Sequence, residues 1–183
     1  MLTNPLTGFA SRSLQGAAGG LAATVLMSIG LGIADKLGVM NRQPPMKIVK
    51  HFLPMLDKKE TEAAASTAHV GYGVSAGALY GALVRPAWRN ASTGIGYGLL
   101  IWLISYEGWL PAFGILPPAH RDKPGRAGTM LGAHILYGAS LGIVSGRIAR
   151  RSRRRLHPHR HPDSHPRHPH RHHPDTQSGG SQA

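Results

Sequence analysis

Four apolar, glycine-rich runs, each about as long as a bilayer is thick, leave this chain few ways to fold. The first, Gly16 to Ala34, has no charged residue and is bounded by Arg12 on one side and Asp35 and Lys36 on the other. The second spans Ala63 to Val84 and is closed by Arg85, Pro86, Trp88 and Arg89. The third begins at Ala91 and continues through Glu107 to the break at Pro111, and the fourth runs from Ala127 to Gly146 into Arg147. Buried helices of a soluble protein are the competing reading. Four such runs, however, leave almost no polar face to meet water, so a membrane is the expected solvent. The first run is longer than a usual signal-peptide core and is expected to be retained. Trp88, Trp102, Tyr106 and Trp109 lie near run ends, where aromatic rings favour the interface.

These runs predict an all-α fold: a four-helix transmembrane bundle over residues 1–146, with spans at about 14–34, 63–84, 91–110 and 127–147. Between the first two, Ile48, Val49, Phe52, Leu53 and Leu56 recur at helical spacing. They predict an amphipathic helix lying in the membrane surface at about 45–56, ended or kinked by Pro54.

The second and fourth runs share a pattern. HVGYGVSAGALYG, from His69, and HILYGASLGIVSG, from His134, have His, Tyr, Gly, Ser, Gly and Gly in common at the same offsets. Asp35 precedes Pro44-Pro45 much as Glu107 precedes Pro117-Pro118, so each half reads as helix, acid, Pro-Pro, helix with histidine. The expected architecture is two duplicated hairpins, parallel repeats about an axis along the membrane normal. Gly73, Gly77 and Gly81, like Gly138, Gly142 and Gly146, fall four apart on one face, where missing side chains let backbones approach; whether that contact is internal or makes a homo-oligomer is open. His69 and His134 precede these ladders by one turn. With Tyr72, Tyr137, Asp35 and Glu107 they are expected to form a pseudosymmetric cluster near one membrane surface, the candidate proton or metal site. Three uses compete for it: neutral hydrogen bonding between helices, a proton-responsive site, and a divalent-metal site of two histidines and two carboxylates.

At this point the order of features resembles the YagU-like group of uncharacterised bacterial inner-membrane proteins. The residues that carry the resemblance are Gly16, Gly19, Gly20, Thr24, Pro44, Pro45, His69, Tyr72 and Gly73, and it extends from about Leu14 to Gly146. It implies a small multi-pass inner-membrane protein and supplies no substrate or catalytic residue.

From Arg147 onward the composition changes. The formal charge of +13 divides into +6 before Arg147 and +7 after Gly146, and the last 37 residues interleave His, Pro and Arg around LHPHRHPDSHPRHPHRHHPD. A disordered tail over 147–183 is expected. Its head, with Arg150, Arg151, Arg153, Arg154 and Arg155, suits anionic lipid headgroups. His157, His159, His161, His165, His168, His170, His172 and His173 could chelate a divalent metal weakly, the one cofactor suggested. No reader motif accompanies the charge, so no specific nucleic-acid partner is expected. Basic residues near helix ends number nine on each side, but six arginines crowd the end of the fourth run, which favours cytoplasmic termini. There is no phosphate loop, His-Glu-x-x-His or nucleophile elbow, and no cysteine. The function expected is therefore a non-enzymatic structural or stress-related inner-membrane component whose His/carboxylate cluster responds to pH, with a small proton or divalent-metal transporter acting as an oligomer as the alternative.

Overall fold

The structure, a computed structural model, describes residues 5–38 and 44–156, and among them it is all-helical. Helix α1 covers Pro5–Lys36, α2 Pro44–Phe52, α3 Lys58–Leu83 and α4 Ala91–Trp102. The fourth helix is prolonged by a π-helical stretch, Leu103–Trp109, and a last α-helical turn, Leu110–Ala112. Helix α5 runs from Pro124 to Leu156.

Local chemistry sets these boundaries. Asp57 caps α3 reciprocally with Glu60: the Glu60 N–H donates to Asp57 Oδ1 at 2.8 Å and the Asp57 N–H to Glu60 Oε2 at 2.9 Å. Asn90 and Thr93 do the same for α4, at 3.0 and 3.2 Å. Helix α2 stops at Phe52, short of the expected Leu56, because a helix ends readily just before a proline such as Pro54. The π-helical stretch leads into Pro111, whose missing N–H and bulky ring cannot be fitted into a regular α-turn, and the ladder widens so that the Leu110 N–H donates to Ser105. Gly114, at φ 67°, then turns the chain out of the helix. Helix α5 continues past Gly146 through Arg147–Leu156, residues expected at the head of a disordered tail. Arginine is a good helix former, a cationic last turn complements the helix dipole, and the next proline is Pro158.

Helix α1 packs antiparallel to α3 and to α5, and α5 packs antiparallel to α4. Two of these contacts are backbone against backbone. A Cβ added at Gly77 would lie 2.6 Å from the Gly20 Cα, and one at Gly16 2.7 Å from the Gly81 Cα. In the other pair, a Cβ at Gly94 would stand 3.0 Å from the Gly142 Cα, and one at Gly98 3.1 Å from the Gly138 Cα. The ladders thus meet partners inside the same chain. At the α1–α5 crossing the spacing is slightly wider, with Gly19 against Ser145 and Leu141. Side chains close the bundle between α3 and α4: Tyr97 donates to the Ala76 carbonyl at 2.8 Å, and the rings of Tyr80 and Tyr97 lie 5.2 Å apart. Helix α2 lies against α3, and Phe52 meets Phe113 edge to face at 5.9 Å.

The distribution of side chains is inverted relative to a soluble bundle. Inside are glycines, Ala23, Thr24, Ser145 and tyrosine rings, with Met27, Leu31 and Leu141. Outside, mid-helix, are Leu21, Val25, Ile29 and Ile33 on α1, Val70 and Leu79 on α3, Leu100 on α4 with Ile104 just beyond, and Ile135 and Leu136 on α5. Interior hydroxyls are satisfied within helices: Thr24 donates to Gly20 and Ser145 to Leu141, each at 2.7 Å. Two helices, α1 and α5, are by length and composition long and apolar enough to cross a membrane. Helix α3 opens with the charged Lys58-Lys59-Glu60-Thr61-Glu62, and α4 alone has 12 residues.

Candidate functional site

The antiparallel α1–α3 and α1–α5 contacts bring the two histidine helices to the same side of α1. His69 and His134 line one cavity of about 20 Å³ together with Thr24, Met27, Tyr72, Gly73, Ala76, Ile101 and Tyr137. This is room for a single water molecule. His134 is buried, and its Nδ1 lies 2.8 Å from the Met130 carbonyl; a carbonyl only accepts, so Nδ1 carries the proton and a neutral ring presents Nε2 as an acceptor. His69 is half-buried, and its Nε2 is buried with no hydrogen-bond partner. Tyr137 donates to the Gly73 carbonyl at 2.7 Å and so ties α5 to α3 beside the cavity. Tyr72 lines the cavity but is half exposed.

The two carboxylates do not join this cluster. Asp35 is exposed in the last turn of α1 and lines, with Glu62, Ser28, Ser66 and His69, an open groove of about 890 Å³ toward the α2 end. His69 therefore bridges groove and cavity, and Asp35 reaches only the groove. Glu107 lies within the π-helical stretch, where the wider turn changes the phase that regular helical spacing assumes, and its Oε2 is 3.3 Å from Nδ1 of His120. The expected two-histidine, two-carboxylate metal site is consequently not assembled. Among the described residues no three His, Asp or Glu side chains converge as metal ligands. His157 to His173, the tail candidates, lie outside the described residues.

Two buried polar assemblies went unrecognised in the sequence. Near the α2 end, Asp122 accepts from Tyr106 and from Arg126, with Arg126 Nε at 2.7 Å, and from the Lys123 N–H at 2.7 Å. Burial alone would raise the Asp122 carboxyl above its ordinary value, but the donors from Arg126, Tyr106 and Lys123 together hold it below. At the other end Arg89, only 1% exposed, donates from Nη2 to the Gly81 carbonyl at 2.6 Å, from Nε to Val84 at 3.1 Å and from Nη1 to Gln15 Oε1 at 3.0 Å. It supplies donors to carbonyls that the end of α3 leaves without helical partners. Burial lowers the Arg89 guanidinium from its usual value, Tyr80 opposes this, and the Arg12 charge adds to it.

Fold and site together define an all-helical protein, two of whose helices suit a bilayer, built on glycine crossings around a histidine-tyrosine cavity. The family of unknown function DUF6789 matches residues 10–156, and the chain belongs to it. The match ends at the last described turn of α5 and leaves out the histidine-rich segment. It bears out the resemblance to a family of unknown function, but nothing ties the chain to the YagU-like group itself. No curated protein and no solved structure matches the chain.

Proposed function

We propose that this is a small, non-enzymatic, multi-pass inner-membrane protein, a structural or stress-related component, in which four helices cross the bilayer as duplicated hairpins and the His69–His134 pair adjusts their packing to pH. The single observation that carries the membrane reading is the inversion of side chains, with large apolar groups outward on all four long helical segments and small or hydrogen-bonded groups inward. The π-helical stretch and final turn matter here, since residues 91–112 make 22 helical residues, about 30 Å long once the smaller rise of the π-helical turns is allowed for. Duplication is supported by equivalent crossings: Gly20 faces Gly77 as Gly94 faces Gly142, and Gly73 and Gly138 stand in matching places on their helices.

Cytoplasmic termini are favoured by charge. At the end bearing the helix-α1 N-terminus, Arg147, Arg150, Arg151, Arg153, Arg154 and Arg155 crowd the residues directly after the fourth apolar run, the window in which Lys and Arg weigh most on orientation.

The pH response follows from what surrounds the pair. Tyr72, Tyr137 and the other ring face each imidazole from α3 and α5, Ile101 faces the cavity from α4, and α1 offers Thr24 and Met27 there. No carboxylate lines the cavity, so protonating both rings places two uncompensated charges in it. Asp35 and Glu62 meet His69 only at the groove. The detergent-solubilised protein is therefore expected to lose about 5 °C of Tm between pH 7.5 and 5.5. The His69→Gln/His134→Gln variant is expected to be flat across that interval. Parallel pH curves for the two proteins would eliminate the pH role.

The groove favours a second reading. It gives water a path from the α2 end to His69, as a proton or divalent-cation conduit acting as an oligomer would need. Liposome flux lost in His69→Ala/His134→Ala would select that reading; unchanged flux with altered stability would select the first.

A further inference from the structure

The end of the bundle opposite the groove holds a second cleft, of about 410 Å³, between the first turns of α1 and the arginine-rich extension of α5. Its lining includes Ser11, Arg12 and Gln15 from α1, Ser152 and Arg153 from α5, and Pro86 from the α3–α4 turn. Two guanidinium groups, the Ser11 hydroxyl and a carboxamide line it from separate helices, a donor set matched to tetrahedral oxyanions, while the Ser152 hydroxyl donates to the Ile148 carbonyl at 3.1 Å. Among the described residues no carboxylate forms an ion pair with either arginine: the ion pairs are His120–Glu107 and Arg126–Asp122, both at the far end. Gln15 also joins the cleft to the buried Arg89, whose own ligands are carbonyls and this amide rather than an acid. Arg89 and Arg12 thus stand near one another with no counter-charge supplied by the described chain, an arrangement that favours a bound anion.

We propose that this cleft binds a phosphate group, with Arg12 and Arg153 as a two-helix clamp and Ser11, whose oxygen accepts from Gln15 and whose own proton is free, donating to a remaining oxygen. The chemistry fits either the phosphate of an anionic lipid or free inorganic phosphate. The lipid source rests on the membrane reading above, whereas phosphate recognition itself does not.

Native mass spectrometry of the full chain released from nanodiscs of phosphatidylcholine with a minority of phosphatidic acid reads the lipid arm, and thermal shift against inorganic phosphate in detergent reads the free-anion arm. Arg12→Gln/Arg153→Gln should weaken binding by about tenfold or more. Arg151→Gln/Arg154→Gln removes the same charge from exposed positions outside the cleft and should weaken it by about twofold at most. Ser11→Asp, an exposed substitution that supplies the missing carboxylate, should abolish binding without lowering Tm in phosphate-free buffer. Retained lipid lost only in the clamp variants identifies the lipid source. A clamp-dependent thermal shift with no clamp-dependent lipid identifies free phosphate and supports the site even if the membrane reading fails. Equal losses in the two double variants, or undiminished binding in Ser11→Asp, would overturn the proposal and leave only diffuse charge attraction.

Discussion

Gly77→Leu should prevent α1 and α3 from packing, leaving a protein that fails to survive extraction in mild detergent. At this crossing even a methyl group is too large, since a Cβ on Gly77 would approach the Gly20 Cα to 2.6 Å and its N to 2.9 Å. Both neighbours are backbone, so no rotamer change can relieve the clash; the helices must separate and forfeit their contact. Gly77→Ala should cost about 2 kcal/mol and Gly77→Leu more than about 3 kcal/mol. A position on the same helix serves as the control: a Cβ on Gly71 meets nothing within 4 Å, so Gly71→Ala should stabilise by about 0.5 to 1 kcal/mol through helix propensity alone. Recovery after extraction reads Gly77→Leu, and unfolding of the purified protein by graded SDS separates Gly71→Ala from Gly77→Ala. Equal stability of Gly71→Ala and Gly77→Ala would mean that the glycine crossing is not where the energy lies.

Arg89→Met should destabilise by about 3 kcal/mol, although the residue only follows the short turn Pro86–Trp88 that local sequence marks as a span boundary. The substitution keeps an apolar stem of similar length and removes the head that donates to Gly81, Val84 and Gln15. Replacing a buried ion pair by apolar groups can be neutral, because both charges leave together. Here the partners are main-chain carbonyls and an amide that stay in place without their donor. Arg89→Lys should recover only part of the loss, since one ammonium cannot present the fork that reaches three acceptors on α1 and α3. Thermal unfolding in detergent at neutral pH ranks the three proteins, and an Arg89→Met protein as stable as the parent would remove Arg89 from the set of contacts that hold α1 to α3.

What could be read from the residues was what depends on regular periodicity. Spacing of four places Gly73, Gly77 and Gly81 on one face, and the shared offset from His69 to Gly73 and from His134 to Gly138 puts both imidazoles near the same depth; the cavity they line follows from that geometry. Glu107 was misplaced because one π-helical stretch breaks the period, and its trigger, Pro111, comes four residues later. The helical course of Arg147–Leu156 is hidden by the His, Pro and Arg-rich composition of the segment it opens, although arginine itself favours helix. Arg89 and the Tyr106–Asp122–Arg126 assembly depend on partners brought together by tertiary packing. Gln15 lies 74 positions from Arg89, and no local pattern announces that contact.

On the proposed reading all four long helical segments cross the bilayer, including α3, which opens on charged residues, and the π-extended α4, whose regular part has 12 residues. The chain has no cysteine, so single substitutions can be labelled without background. With a membrane-impermeant maleimide on intact cells, Lys58→Cys and Lys123→Cys should be labelled, whereas Arg85→Cys and Arg151→Cys should react only after the membrane is permeabilised. Lys58→Cys and Arg85→Cys bracket α3, so labelling of both from the same side would mean that α3 does not cross, whichever way the protein faces.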